Sequence, residues 1–188
     1  MRDPHASLTT ARLALRRFRP DDFEWLHALN SDPEVMRYCG GVLTREKSEE
    51  MLRVRILDYY EQHPGLGVWA TIERATGAAI GMHLLNHIRG ESYIQVGYLL
   101  DPRWWGRGYA TEMCVRLLRY GFAELGLPRI VAITELPHVV SQRVLLKSGL
   151  RRDGERRLAH PAYAAGPLAW FERDAADWLA EHPADAGP

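Results

Sequence analysis

Leu99-Leu100-Asp101-Pro102-Arg103-Trp104-Trp105-Gly106-Arg107-Gly108-Tyr109-Ala110 is the stretch on which the reading of this chain turns. Residues 93–100 before it are rich in β-branched, aromatic and aliphatic side chains and are bounded by Gly90 and Pro102, which reads as a strand. After it, Ala110, Met113, Leu117, Leu118, Gly121, Phe122 and Leu125 recur at helical spacing, which predicts an amphipathic helix over about 107–126. A strand that turns through two glycines into a helix gathers backbone N–H groups where the helix dipole favours negative charge. Gly106 and Gly108 allow a ligand to approach the main chain and leave positive φ free, and Arg103 and Arg107 add positive charge beside the turn.

Phosphate-binding turns of several kinds begin this way. A P-loop needs Lys-Ser/Thr after its last glycine, and a dinucleotide fingerprint needs a third glycine where Thr111 stands. The pattern present is Arg103-x-x-Gly106-x-Gly108-Tyr109-Ala110. It resembles the acyl-CoA pyrophosphate loop of the GNAT superfamily of N-acetyltransferases, Gln/Arg-x-x-Gly-x-Gly/Ala. Taken alone, the six residues also fit a plain strand–helix connection.

Composition narrows the class. The 188 residues suit one domain, 1–188, with a tail over about 182–188 that reads as frayed. Hydrophobic residues make up 46% and charged residues 26%, with zero formal net charge, so charge alone points to no nucleic-acid or acidic-membrane partner. No window approaches the ~20 apolar residues of a membrane span. Met1-Arg2-Asp3-Pro4-His5 lacks the apolar run of a signal peptide. Only Cys39 and Cys114 are present, too few for a disulfide framework, so a cytoplasmic setting is expected, with Cys114 a small buried hydrophobe.

Along the chain, residues 12–18 alternate as a first strand, and Pro20-Asp21-Asp22 opens a short helix with Asp as N-cap and Phe23, Leu26 and Leu29 on one face. Ser31-Asp32-Pro33 breaks it before a turn through Val35, Met36 and Tyr38, and Gly40-Gly41 forms a loop. Thr44 caps a helix over about 45–62, with Leu52, Ile56 and Tyr59/Tyr60 inward. Strands over 68–73 and 79–87 form a hairpin across Arg74-Ala75-Thr76-Gly77, and the strand over 93–100 extends the meander. The apolar run over 129–135 reads as a strand buried on both faces and pairing parallel. Pro137 opens a helix that Gly149 closes, and weaker strands follow near 150–157 and 168–173. This order gives an α/β (α+β) fold with a mixed sheet.

A second motif lies in the last helix: His138-x-x-Ser141-Gln142-Arg143-Val144-Leu145-Leu146-Lys147-Ser148-Gly149-Leu150. It is similar to the GNAT stretch Asn-x-x-Ser-x-x-Val-x-x-Lys-x-Gly-Phe/Leu, which packs beside the pantetheine arm. With Thr10-Ala11-Arg12-Leu13-Ala14-Leu15-Arg16 and Asp32-Pro33-Glu34-Val35-Met36-Arg37-Tyr38, the chain resembles, over about 8–178, the branch containing the ribosomal-protein alanine N-acetyltransferases. The resemblance implies the GNAT fold, a single, mostly antiparallel mixed sheet with a splayed central strand pair, flanked by helices. It implies acetyl-CoA as co-substrate, no metal, and a small-molecule or peptide amine as acceptor, in a monomer or homodimer.

The resemblance also assigns residues. Leu99 and Leu100 carry the main-chain donor for the thioester oxygen, and Arg103, Gly106, Arg107, Gly108, Tyr109 and Ala110 hold the pyrophosphate. His138, Ser141 and Lys147 line the cofactor, with Ser141 beside the leaving thiolate, although a first-turn hydroxyl serving backbone donors explains Ser141 equally well. Two positions depart from the family. His138 stands for Asn, and Gln95 stands where many relatives carry an acidic residue facing the acceptor.

Acetyl transfer to an amine of pKa roughly 7.7–10.4 needs a proton acceptor. Gln95 cannot be one. Glu135, at the end of the buried strand, is the first candidate, with His83, His87 and Glu91 behind it; each also has a purely structural explanation. Trp104, Trp105 and Arg143 fit packing or an exposed basic face as well as cofactor contact. The reading is therefore an acetyl-CoA-dependent N-acetyltransferase acting by direct transfer in a ternary complex, with a non-catalytic acyl-CoA-binding sensor as the alternative.

Overall fold

A computed structural model describes residues 8–183; Met1–His5 and the last residues of the expected frayed tail lie outside them. Seven strands form one mixed sheet in the order β1-β2-β3-β4-β5-β7-β6. They are β1 Leu13–Arg17, β2 Gly67–Glu73, β3 Ala79–His87, β4 Ile94–Leu100, β5 Arg129–Glu135, β6 Arg151–Arg156 and β7 Leu168–Asp174. The pairs β1–β2, β5–β7 and β6–β7 are antiparallel, and β4 and β5 are parallel, in register at Gln95 opposite Val131. No helix among the described residues is long and apolar enough to cross a membrane. The chain divides into two compact units, one up to Leu84 plus Tyr98–Tyr109, the other Leu85–Gly97 plus the chain from Ala110.

In the first unit, Leu13 and Leu15 turn inward from β1 as their alternation predicts, and Phe18 follows them into the core. The entry to α1 (Phe23–Ser31) differs from expectation, because a tight turn, Pro20–Asp22, precedes it. Asp22 occupies the N-cap position of α1 but makes no cap bond with its side chain; its carboxylate reaches back to the Arg19 N–H at 2.8 Å and to both terminal nitrogens of Arg16 at 2.7 Å. Desolvation works against that carboxylate, yet the Arg16 and Arg19 contacts keep its pKa below the usual value. Asp32 organises the next turn, Val35–Tyr38, by accepting from the Glu34 N–H at 2.8 Å.

Thr44 caps α2 (Arg45–Glu50) by accepting from the Lys47 N–H at 3.3 Å. The helix expected over 45–62 is continuous but widens to π geometry at Met51–Leu57 before α3 (Asp58–Gln62). Leu52, Ile56 and Tyr60 face inward. The Tyr60 hydroxyl accepts from the Phe18 N–H at 3.1 Å and donates to the Val68 carbonyl, and burial pushes its pKa up to about 12.

The β2–β3 turn closes with Gly77 at φ +72°, the Gly77 N–H bonding to Glu73 O at 2.8 Å. Gly81, within β3, has a different function. A Cβ there would stand 2.2 Å from Leu99 O and 2.7 Å from Leu100 Cα, and φ is +153°. The neighbouring Ile80 carbonyl accepts from the Asp101 N–H at 2.9 Å. Gly81 thus lets the backbone that leads into the glycine turn lie directly against β3. Gly81→Ala should cost about 3 kcal/mol, the upper end of the usual overpacking range, because the obstacle is main chain that cannot rotate away. Urea unfolding checks this, with a lower midpoint at unchanged slope; a midpoint equal to the wild type would contradict it.

In the second unit, β5 buries Ile130, Val131 and Ala132, as its near-continuous apolar run predicts, and Thr134 with them. The helix α4 (Tyr109–Arg119) starts two residues later than expected, because the glycines stay in the turn, and widens at Tyr120–Glu124. Gly121 brings that wide turn against β5; a Cβ would meet Ile130 Cδ1 at 2.5 Å. Cys114 is fully buried, and desolvation raises its thiol pKa far above the usual range.

Helix α5 (Val139–Lys147) ends as predicted, with Gly149 at φ +96° and the Leu150 N–H bonding to Leu145 O. The final hairpin inserts its second strand, β7, between β5 and β6, with Glu135 opposite Leu168 and Arg129 opposite Asp174. β6 is an exposed edge carrying Arg151, Arg152, Asp153, Glu155 and Arg156, and it bulges around Gly154. The sequence reading missed α6 (Ala175–Glu181), whose Trp178 is buried and stacks on His182 at 4.1 Å.

Candidate active site

The first unit carries the glycine turn whole. Asp101 shapes its approach: the carboxylate accepts from the Arg103 N–H at 2.9 Å and from the Arg103 guanidinium at 2.6 Å, closing the tight turn Pro102–Trp104. The same guanidinium holds the Asp101 carboxyl below its ordinary pKa. Arg103 is mostly exposed but already ion-paired, which its sequence assignment to the pyrophosphate did not foresee. The Trp105 indole donates to Leu100 O at 2.7 Å, so Trp105 braces the turn from outside while remaining 45% exposed. The Arg107 guanidinium lies 4.9 Å from the Trp104 ring centre and donates to Arg103 O at 3.4 Å.

Gly106 and Gly108 sit at φ +73° and +78°, and Arg107 between them keeps negative φ. Alternation of hand along successive residues is the pattern in which backbone N–H groups converge on an anion. A Cβ on Gly106 would meet nothing within 4 Å, so the backbone conformation, not crowding, requires glycine there. Tyr109 then enters α4 with its ring buried, 6.2 Å from that of Trp104. The turn has its carbonyls engaged by guanidinium groups, Arg103 O by that of Arg107 and Arg107 O by that of Arg12. It can hold a dianionic diphosphate, and Leu99, Leu100, Arg103, Gly106, Arg107, Gly108 and Tyr109 are brought together in this one unit.

Ala110, Glu135, His138, Ser141 and Lys147 belong to the second unit. Glu135 ends β5, half-buried, on the face shared by Ile133 and Trp170. The N-cap position of α5 is His138, which forms no side-chain cap bond, and Ser141 is the third helical residue, half-buried. Burial lowers the His138 pKa and favours a neutral imidazole with one donor and one acceptor nitrogen. Lys147 and Arg143 are exposed on α5. Gln142, which sequence reasoning passed over, anchors this helix: its amide donates to Leu136 O at 2.7 Å and its carbonyl accepts from Arg152 at 2.6 Å.

Gln95 is engaged in the sheet, its amide donating to Asn86 Oδ1 at 3.3 Å. His83 is fully buried with Thr71 Oγ1 2.7 Å from its Nδ1, which makes it a histidine of the core and removes it from the candidate bases. His87 and Glu91 are half-buried, the latter in the β3–β4 turn with its N–H on Ile88 O. Glu135 is left as the carboxylate at a strand end that faces the same way as Gln95, because Gln95 pairs with Val131 and strand residues two apart share a face.

The family model described as the acetyltransferase (GNAT) domain matches residues 12–151. The chain is 32% identical over 148 residues to the uncharacterized N-acetyltransferase YnaD of Bacillus subtilis, covering 78% of this chain and 84% of that one. It is 25% identical over 156 residues to the spermidine N(1)-acetyltransferase of Escherichia coli, covering 81% and 78%. A GNAT-family acetyltransferase from Bacillus anthracis superposes with a TM-score of 0.72 at 26% identity, over 89% of this chain and 98% of that one. The glycine turn, the seven-stranded mixed sheet and these matches agree: the chain belongs to the GNAT family and is an acetyl-CoA-dependent N-acetyltransferase.

Proposed function

We propose that residues 1–188 act as a single domain that passes an acetyl group from acetyl-CoA directly to a primary amine in a ternary complex. The observation that carries this is the turn at Gly106–Gly108, whose alternating backbone hand and following helix suit the cofactor's pyrophosphate. A small amine is one acceptor class, supported by the spermidine-acetylating relative; a protein N-terminus is the other. Main-chain donors at Leu99–Leu100 stabilise the charge that develops on the thioester oxygen, a contribution typically worth ~10²–10³ in rate per donor. Ser141 gives its proton to the leaving thiolate and takes one in exchange from the nitrogen of the tetrahedral adduct, so its hydroxyl is restored, and neutral His138 takes the place of the family's Asn beside the pantetheine arm. Lys147 meets the cofactor from the end of α5.

Glu135 accepts the ammonium proton, directly or through water, because Gln95 has no basic atom. Glu135→Gln should slow transfer most near neutral pH and recover in part at high pH, where more of the amine is already deprotonated. The measurement is a pH–rate profile from free-thiol release with a panel of amines. A wild-type-like profile in the variant would remove Glu135 from the reaction. Initial rates varied in both substrates should give intersecting lines; parallel lines would indicate an acetylated enzyme in place of direct transfer. A protein that binds acetyl-CoA yet releases no thiol with any amine would instead be an acyl-CoA sensor.

A further inference from the structure

The loop's geometry depends on a residue far away in sequence. Arg12, just before β1, sends its guanidinium to the glycine turn, where Nη1 donates to Arg107 O at 3.0 Å. The group also lies over the Tyr109 ring, 4.5 Å from its centre, and a Cβ on Gly108 would sit 3.6 Å from Arg12 Nη2. One side chain therefore bonds to the turn at Arg107 and stacks on Tyr109, the first residue of the helix, with Gly108 between them. Its own backbone is held in turn: the Arg74 N–H bonds to Arg12 O at 2.9 Å, and the Arg74 guanidinium to Thr10 O at 2.7 Å and Ala11 O at 3.1 Å.

The consequence follows from peptide geometry. In a trans peptide the C=O and the next N–H point in opposite directions. Fixing the Arg107 carbonyl on Arg12 turns the Gly108 N–H to the far side, and stacking on Tyr109 fixes the first helical residue beyond it. Two glycines otherwise give this turn more conformational freedom than any other residue type would. We propose that Arg12 is a positioning residue for cofactor binding, holding the Arg107–Gly108 peptide so that its N–H meets the pyrophosphate of acetyl-CoA. The assignment rests on the reading of this turn as the pyrophosphate site. It adds a requirement for a contact from the start of β1.

Calorimetry with acetyl-CoA and with S-acetylpantetheine, which lacks the pyrophosphate, tests the assignment. Arg12→Ala should weaken acetyl-CoA binding about tenfold, the scale of one lost charge-assisted hydrogen bond. S-acetylpantetheine affinity and kcat at saturating acetyl-CoA should both stay at wild-type values. Arg12→Lys, which keeps a charged donor, should recover most of the loss. In a double-mutant cycle with Gly108→Ala, the Arg12→Ala effect should largely vanish, since the peptide it orients is already disturbed. Unchanged acetyl-CoA affinity in Arg12→Ala, equal losses for both ligands, or additive effects in the cycle would each overturn the proposal. A reduced salt dependence of binding in Arg12→Ala would overturn it too, by making Arg12 a direct phosphate ligand. Wild-type protein that binds S-acetylpantetheine and acetyl-CoA equally would refute the pyrophosphate turn itself, an outcome separate from any effect of Arg12.

Discussion

Gly108→Asp should abolish acetyl-CoA binding in a protein that still folds. Folding survives because the position is open: a Cβ there meets only the far end of the flexible Arg12 side chain, at 3.6 Å. Asp is also among the side chains that tolerate positive φ, so strain at φ +78° is modest. Binding is another matter. The new carboxylate would stand where the pyrophosphate approaches, and two like charges about 4 Å apart repel by about 4 kcal/mol at an effective dielectric of 20. That corresponds to roughly a thousandfold loss of affinity. Gly108→Asn adds nearly the same volume without the charge and should lose far less. Calorimetry on the two variants separates charge from shape, and wild-type affinity in folded Gly108→Asp would refute the assignment of this turn.

Ser141→Ala should lower kcat by ~10²–10⁴, the usual range for a missing proton donor, while acetyl-CoA affinity stays close to that of the wild type. Helix propensity does not work against the substitution. Ser141 is the third residue of α5, not its cap, and alanine is a better helix former than serine. A fall in kcat of less than about threefold would mean that water alone carries the thiolate's proton. A fall in kcat together with a large rise in acetyl-CoA Kd would mean that Ser141 binds the cofactor rather than protonating it.

The parts of the fold legible in the sequence are those set by local pattern. β5 announced itself by the apolar run Ile130–Ile133, which occupies both faces of the strand, and α5 by Pro137 before it and Gly149 after it. The glycine turn was legible because its conformation requires residues without a Cβ. Long-range partners were not. Nothing in Asp-Pro-Arg-Trp says that Asp101 takes the Arg103 guanidinium, and nothing in the alternation of β3 says that His83 bonds to Thr71. Gly81 reads in sequence as a weak point of a strand, whereas its backbone is required by the approach of Leu99 and Leu100. Helix α6 was missed because its seven residues are too short for a periodic signal; Trp178 and the ion pair between Arg173 and Glu181 hold it.

The place of β7 in the sheet has a consequence for how the chain is made. β5 pairs with β7 and not with β6, although β6 leaves the ribosome first. Until β7 has been synthesised, one edge of the buried strand β5 has no partner, and Ile130, Val131 and Ala132 stay available to other nascent chains. A strand so apolar with a bare edge is a template for intermolecular pairing. β6 cannot serve as a temporary cover without giving way when β7 arrives, and its run of charges makes it a poor one. A chain stopped before Leu168 should therefore aggregate through β5, while one that continues through Asp174 presents at this end of the sheet the charged, bulged edge of β6.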